Sequence, residues 1–183
     1  MTMTITDVPA SRPLTRADLQ DTPDDGRRYE LIDGTLIVSP APRIRHQRVV
    51  ANVFLLLRAA CPPDLEVLFA PTAVALAEDT ELQPDVLVAP RAQFTEFELD
   101  GAPLLAVEVL SPSTRRVDLL LKRDRLQEAG CLSYWLVDPL EPSILVLELE
   151  DGRYVERGRA VDEDRLEVAL PYPVAIVPAD LLA

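Results

Sequence analysis

Residues 103–110 (Pro-Leu-Leu-Ala-Val-Glu-Val-Leu) form an almost entirely apolar run that contains one carboxylate, Glu108. An apolar run of this length and composition is typical of a strand that is covered on both faces. Such a strand belongs in a central sheet with further layers packed on each side, which restricts the chain to a layered architecture. A carboxylate is costly to bury there without a partner. Glu108 therefore indicates a buried ion pair, a strand end that reaches water, or a metal ligand.

The rest of the chain alternates between strand and helix patterns. Residues 28–39 contain two β-rich runs around Asp33-Gly34, which predicts a hairpin. Residues 44–60 have apolar positions at helical spacing, and residues 115–129 predict a second helix that ends at Gly130. Further strands are predicted at residues 65–76 (bent near Pro71), 85–89, 133–137 and 144–149, with Arg153–Glu156 pairing back on the last of these.

These elements predict one α/β domain with a mixed central sheet flanked by helices and an N-terminal β-hairpin. Residues 1–26 are polar and acidic, with a short helix at residues 15–19, and are predicted to form a partly ordered arm; residues 27–183 are predicted to be a single domain. The chain contains no apolar run of about 18 residues and begins with no leader pattern. A cytoplasmic protein without a membrane span is therefore expected.

Charge and cysteine content restrict the function further. The net charge is −13, which counts against nucleic-acid binding because affinity for phosphates comes largely from Lys and Arg. A nucleic-acid enzyme would need a locally basic surface, and the simpler interpretation of the charge is solubility. Cys61 and Cys131 lie beside apolar sequence and outside any CxxC pair, so buried free thiols are expected rather than a zinc site.

Asp85 follows Pro84 at the start of a predicted strand, where an Asp is more often a turn or a cap. Its interest comes from Glu108, because two acids at the ends of adjacent short strands can converge on one hard cation such as Mg²⁺. The backbone carbonyl of Val109 would supply a further oxygen ligand. Asp85 and Glu108 together therefore predict a metal site.

Lys122 is the single lysine among 18 basic residues. Lysine can lose its proton when its surroundings lower its pKa, whereas arginine effectively cannot, so a lone lysine in an arginine-rich chain indicates a function. It lies one turn after Asp118 on the second predicted helix, and Leu119 and Leu126 flank it and indicate partial burial. The alternatives are an accident of composition and an ordinary ion pair with Asp118 on a solvated helix face.

Several segments, taken jointly, resemble the Uma-two family, a group of restriction-endonuclease-like proteins within the PD-(D/E)XK superfamily. They are Tyr29-Glu30-Leu31-Ile32-Asp33-Gly34, Ser39-Pro40 with His46, Pro84-Asp85, residues 105–114 (Leu-Ala-Val-Glu-Val-Leu-Ser-Pro-Ser-Thr), Asp118 with Lys122, and Gly130 with Tyr134-Trp135-Leu136-Val137-Asp138-Pro139. The resemblance spans residues 28–155. It implies a restriction-endonuclease-like α/β/α core.

The resemblance also implies site roles. Asp85 and Glu108 would bind a divalent cation, Mg²⁺ or Mn²⁺, and Glu30 would be an additional N-terminal acid of the site, although an exposed acid in a hairpin explains Glu30 about as well. In the superfamily's usual arrangement a lysine lies two residues after the second acid, and here that residue is Leu110. The resemblance implies that the lysine has migrated to the helix as Lys122, because a helix over this strand face would bring an amine to the same space.

The leading hypothesis is a Mg²⁺-dependent endonuclease that hydrolyses phosphodiesters, expected to act on DNA as a homodimer. The residues predicted to hold the nucleic-acid backbone are Arg43, Arg45, His46, Arg48, Arg115 and Arg116. The alternative is a catalytically inactive nuclease-fold scaffold that binds nucleic acid or a protein partner. The net charge favours that alternative, and so does Leu126, where relatives tend to carry tyrosine. A hydrolase of another phosphate ester is a third reading.

Overall fold

Thirteen strands in three sheets form the framework of the part of the chain that the computed structural model describes, residues 12–112 and 114–183. In chain order they are β1 (Arg28–Ile32), β2 (Thr35–Ser39), β3 (Leu65–Phe69), β4 (Ala73–Ala77), β5 (Thr80–Leu82), β6 (Val86–Pro90), β7 (Glu98–Asp100), β8 (Leu105–Val109), β9 (Ser133–Asp138), β10 (Ser143–Glu150), β11 (Arg153–Val161), β12 (Leu166–Val168) and β13 (Val174–Ile176). The larger sheet has the order β11-β10-β9-β8-β6-β3 and the smaller one β2-β1-β5-β4-β7, while β12 and β13 pair separately.

Helical segments lie between these strands. They are α1 (Arg16–Leu19), α2 (Ile44–Ala60), a π-helix at Val117–Lys122 that continues directly into α3 (Arg123–Glu128), and 3₁₀ turns at Arg91–Gln93 and Pro178–Leu182. Both larger sheets are mixed, since β8 and β9 run parallel in one and β4 and β7 run parallel in the other. None of the helices in the described residues is both long enough and apolar enough to span a membrane.

Strand β8 is buried at every position because layers cover both faces of the larger sheet. Val107 and Val109 pack in one core cluster with Val53 of α2, together with β12, β13 and the C-terminal turn. Ala106 packs in a second cluster with Leu126 of α3 and with apolar residues of β1, β2 and β5. The expected strand with two covered faces is thus present, and Glu108 points to the same side as Ala106 because side chains alternate along a strand.

The hairpin predicted at residues 28–39 and the helix predicted at residues 44–60 are present. β1 and β2 pair antiparallel around Asp33 and Gly34, both of which have positive φ angles. Gly34 is also required by space, because a Cβ atom there would lie 2.7 Å from the Cβ of Pro13. Helix α2 has the bounds predicted from its apolar spacing.

Two predicted elements are wrong in detail. Residues 65–76 are not one bent strand: β3 and β4 belong to different sheets, and the chain crosses between them at Ala70, whose N–H donates to the carbonyl of Asp85. The helix predicted over 115–129 is present, but it is π-helical over Val117–Lys122, where it carries Asp118 and Lys122 into the protein interior. Side-chain periodicity alone does not distinguish the wider turn from an α-helix.

The N-terminal segment and the cysteines complete the comparison. Residues 1–11 of the predicted arm lie outside the described residues. Residues 12–26 contact the body of the protein, since Leu14 donates to the carbonyl of Gly34 and Arg16 to that of Glu78. The division into arm and domain stays a prediction. Both cysteines are free thiols, but Cys61 is half-buried whereas Cys131 is buried as expected.

Candidate functional site

Strand register brings Asp85 and Glu108 together. β6 and β8 are antiparallel, with Val86 opposite Val107, so one further step along each strand sets Asp85 beside Glu108, on the same face of the sheet. Asp85 Oδ2 accepts a hydrogen bond of 2.8 Å from the N–H of Val109. Both carboxylates are buried, with 3% and 1% exposure.

The single lysine reaches the same place from the π-helix. Lys122 Nζ lies 3.0 Å from Glu108 Oε1, 2.9 Å from Glu30 Oε1 and 3.6 Å from Asp118 Oδ1. All four side chains are buried. We call Glu30, Asp85, Glu108 and Asp118 the acid cluster. Glu30, for which an exposed hairpin position was the alternative, is buried and also accepts a hydrogen bond of 2.7 Å from the N–H of Gln83.

Two further side chains hold Asp85 from the solvent side. Arg28 Nη1 lies 2.8 Å from Asp85 Oδ1 and His46 Nε2 lies 3.1 Å from Asp85 Oδ2. The Nε atom of Arg28 is also 3.7 Å from Glu30 Oε2. Sequence reasoning did not select Arg28. A signal was present, because Arg28 and Glu30 are two residues apart on one strand and so share a face.

Asp118 is anchored separately from Lys122. Its Oδ2 atom accepts a hydrogen bond of 2.7 Å from the hydroxyl of Thr114, and its backbone carbonyl accepts one of 2.9 Å from the hydroxyl of Tyr134. These bonds fix the π-helical turn that carries Lys122. Such turns are frequent at functional sites.

Burial and charge shift the pKa values of the cluster in opposite directions. Burial raises the pKa of Glu108 well above its ordinary value, the charge of Lys122 offsets only part of this, and Asp85 and Asp118 raise it further. Burial also raises the pKa of Asp118, against the effect of Lys122. For Asp85, burial acts upward, but the hydrogen bond from His46 and the charge of Arg28 outweigh it and lower the pKa.

The cations of the site hold their protons. Burial alone would lower the pKa of Lys122, but the carboxylates of Glu108, Glu30 and Asp118 outweigh it and raise that pKa. The same balance, with Glu30 and Asp85 as the anions, raises the pKa of Arg28. The surroundings of Lys122 therefore raise its pKa rather than lower it, which favours the ammonium form.

The acid cluster has the chemistry of a divalent-cation site. Its four carboxyl groups surround two cations, Lys122 and Arg28, and burial without a further cation raises the pKa of Glu108 and of Asp118. Two of its buried oxygens, Glu108 Oε2 and Asp118 Oδ1, have no hydrogen-bond partner. All donors are oxygens, which suits a hard cation such as Mg²⁺.

The same carboxylates are not, however, arranged as a ready metal site. Over residues 12–112 and 114–183, no three His, Cys, Asp or Glu side chains stand in positions that could hold an ion. The oxygens of Glu30, Asp85 and Glu108 are directed instead at Lys122 and Arg28. Metal binding at the predicted ligands Asp85, Glu108 and Val109 thus requires these ion pairs to rearrange.

The predicted phosphate-binding residues fall into two groups. Arg43, Arg45 and Arg48 are exposed near the start of α2, around His46, which turns inward to Asp85. Arg115 and Arg116 are exposed just before the π-helix, and the guanidinium of Arg115 pairs with Asp138. The first group, which we call the α2 arginines, therefore lies next to His46 along the start of α2.

A family model described as "Uma2: Putative restriction endonuclease" matches residues 16–179. The chain belongs to the Uma2 family. The matched range includes the whole acid cluster together with Arg28, His46 and Lys122. The family predicted from the sequence segments is thus confirmed.

A solved structure shows the fold of this Uma2 chain. The crystal structure of a "putative nuclease belonging to DUF820" from Anabaena variabilis superimposes with a TM-score of 0.75 at 19% sequence identity, and the match covers 93% of this chain and 98% of that chain. At this identity the likeness establishes the fold, and it confirms the predicted restriction-endonuclease-like class. No protein with a curated description matches the chain. Family and fold together support a nuclease function.

Proposed function

We propose that this Uma2 chain is a Mg²⁺- or Mn²⁺-dependent endonuclease that hydrolyses DNA phosphodiesters. The observation that carries the proposal is the convergence of Asp85, Glu108 and Glu30 with Lys122 in one buried cluster. Four buried carboxyl groups around two cations are expensive to maintain for stability alone. A divalent cation would favour the ionised forms of Glu108 and Asp118, whose pKa values burial raises.

The ligands of the cation would be the carboxylates of Asp85, Glu108 and Glu30 and the carbonyl of Val109. When bound, the cation lowers the pKa of water and offsets charge on the scissile phosphate. Lys122 remains an ammonium group because its neighbours raise its pKa. Its role is therefore to stabilise negative charge that develops on the phosphate, rather than to act as a base.

Nucleic-acid binding would use the α2 arginines. They concentrate positive charge at the start of α2, next in sequence to His46, in a chain whose net charge is −13, and a local basic surface is what phosphate binding needs. The guanidinium groups would bind phosphates on either side of the scissile one. A homodimer would set two such sites against the two strands of a duplex, and the mass in solution by light scattering tests that expectation.

A second candidate function is a scaffold of the same fold that binds nucleic acid or a partner without cleavage. It is favoured by the closed arrangement of the acid cluster, in which Lys122 and Arg28 engage the acids that would bind metal. Leu126, buried where relatives tend to carry tyrosine, adds to it. Cleavage of DNA in the presence of the metal separates the two candidates.

Asp85→Asn and Glu108→Gln are each expected to remove the heat of Mn²⁺ binding measured by titration calorimetry, because each deletes a charged oxygen donor. Wild-type protein should bind Mn²⁺ and should nick supercoiled plasmid in Mg²⁺, with both signals lost in EDTA. Asp138→Asn is the matched control, since Asp138 is a buried carboxylate paired with Arg115 outside the cluster. Wild-type heats in both cluster variants would contradict the proposal, and binding without cleavage would favour the scaffold.

Replacing Arg43, Arg45 and Arg48 together with alanine is expected to weaken DNA binding and its salt dependence. Each lost phosphate contact lowers the slope of log K against log salt by about 0.9, so the slope should fall by roughly 2–3. Fluorescence anisotropy on a labelled duplex measures this. A control triple variant at Arg153, Arg159 and Arg165, exposed residues of β11 and its following loop, removes equal charge elsewhere. Equal losses in both variants would show that only total charge matters.

A further inference from the structure

Arg28 is more exposed than either of the other basic side chains that contact the acid cluster, His46 and Lys122. Its side chain is 19% exposed, compared with 11% for His46 and 1% for Lys122. It also lies on β1, at the boundary between the cluster and solvent. Of the cations in contact with the acids, Arg28 is therefore the one with the most freedom to turn outward without opening the core.

The partners of Arg28 include atoms that a metal would use. Its Nη1 atom donates to Asp85 Oδ1 at 2.8 Å and to the carbonyl of Gln83 at 3.1 Å, and its Nε atom lies 3.7 Å from Glu30 Oε2. The other Asp85 oxygen already accepts from Val109 N–H and faces His46. A cation at Asp85 would meet the guanidinium on the same carboxylate, and like charges at that distance repel.

The position of Arg28 also suits a second partner, a nucleic-acid phosphate. Because Arg28 and His46 hold opposite oxygens of one carboxylate, the guanidinium lies near the first turn of α2, which carries His46. A guanidinium released there would face the surface at which a DNA phosphate is expected. Guanidinium groups bind phosphates with two parallel hydrogen bonds, a geometry that lysine cannot reproduce.

We propose that Arg28 exchanges partners during the reaction: it holds Asp85 in the metal-free protein and moves to a nucleic-acid phosphate when a divalent cation occupies the acid cluster. This inference rests on the proposed function. It assigns Arg28 two measurable effects of opposite sign, since the residue opposes binding of the metal and favours binding of the substrate. Metal and DNA would then bind cooperatively in the wild-type protein.

The test compares Arg28→Gln with Arg27→Gln, its neighbour in sequence. Arg27 carries the same charge but pairs with Asp25 in solvent, so its substitution controls for net charge. Arg28→Gln is expected to tighten Mn²⁺ binding about tenfold in calorimetry, because a like charge is removed from the site. The same variant should bind a DNA duplex more weakly in the presence of Mn²⁺, whereas Arg27→Gln should match wild type in both measurements.

The outcomes separate the two proposals. Unchanged or weaker Mn²⁺ binding by Arg28→Gln, with Asp85→Asn still abolishing it, would overturn the partner exchange and leave the proposed function standing. Mn²⁺ binding that survives in Asp85→Asn would overturn both. A measurement on wild-type protein does not depend on how a variant folds. Phenylglyoxal modifies arginine side chains, and mass spectrometry maps the modified residues. The modification should become several-fold faster at Arg28 on adding Mg²⁺ and should stay constant at Arg27. An unchanged rate at Arg28 would also overturn the exchange.

Discussion

Lys122→Met is expected to lower the free energy of unfolding by about 3–5 kcal/mol, because removing one partner leaves buried charges uncompensated. Lys122 contacts three carboxylates and is itself fully buried, and methionine keeps much of its volume without its charge. Urea denaturation followed by circular dichroism measures the change. Arg116→Met is the control, since it removes an exposed cation just before the same helical segment and should change stability by no more than about 0.5 kcal/mol.

The same substitution is also expected to abolish cleavage while keeping metal binding. Without the ammonium group, the π-helix supplies no fixed positive charge to stabilise the phosphate. The carboxylates that would bind the metal remain, and a cation that competes with the metal for them is removed. Mn²⁺ calorimetry at a temperature where the variant is folded separates this effect from instability. A Lys122→Met protein that cleaved at the wild-type rate would show that Lys122 has no catalytic part. A double variant with Glu108→Gln should regain part of the lost stability.

Tyr134→Ala is expected to cost about 3–5 kcal/mol of stability, as large aromatic truncations in a core do. Tyr134 is fully buried, stacks on Tyr154 with ring centroids 5.9 Å apart, and donates its hydroxyl to the carbonyl of Asp118. Tyr134→Phe removes only that hydrogen bond and should cost about 1 kcal/mol. It should nevertheless slow cleavage, because the turn that carries Lys122 loses an anchor.

The matched control for this prediction is Tyr154→Phe. The hydroxyl of Tyr154 donates to the carbonyl of Cys131 at 2.9 Å, away from the acid cluster. Thermal unfolding should give similar losses for the two phenylalanine variants, whereas plasmid nicking should be slower only for Tyr134→Phe. Equal cleavage rates would mean that the Tyr134 hydroxyl serves stability alone.

The pairing of Asp85 with Glu108 was accessible from the sequence because strand geometry leaves little freedom. Asp85 directly precedes one short apolar run and Glu108 lies near the end of another, and the register of β6 with β8 brings them side by side. Lys122 was accessible through composition, as the one lysine of the chain. The hairpin and α2 followed from the Asp33-Gly34 turn and from apolar spacing.

The features that the sequence did not predict all depend on contacts between distant elements. The separation of β3 from β4 depends on which sheet each strand joins. The strand pattern on either side of Pro71 would be the same for one bent strand as for two strands in different sheets. The π-helical turn has no periodicity that distinguishes it at this length. Arg28 could be placed on the face of Glu30, but only the packing of β1 against the residues before β6 shows that this face meets Asp85.

The acid cluster draws on both large sheets and on the helical layer between them. Glu30 belongs to the smaller sheet, Glu108 to the larger one, and Lys122 to the π-helix. A chain that has emerged from the ribosome only as far as β8 contains Arg28, Glu30, Asp85 and Glu108 but lacks Asp118 and Lys122. Contacts of such long sequence separation form late in folding. We therefore expect newly made protein to assemble the acid cluster only as the last of these elements docks.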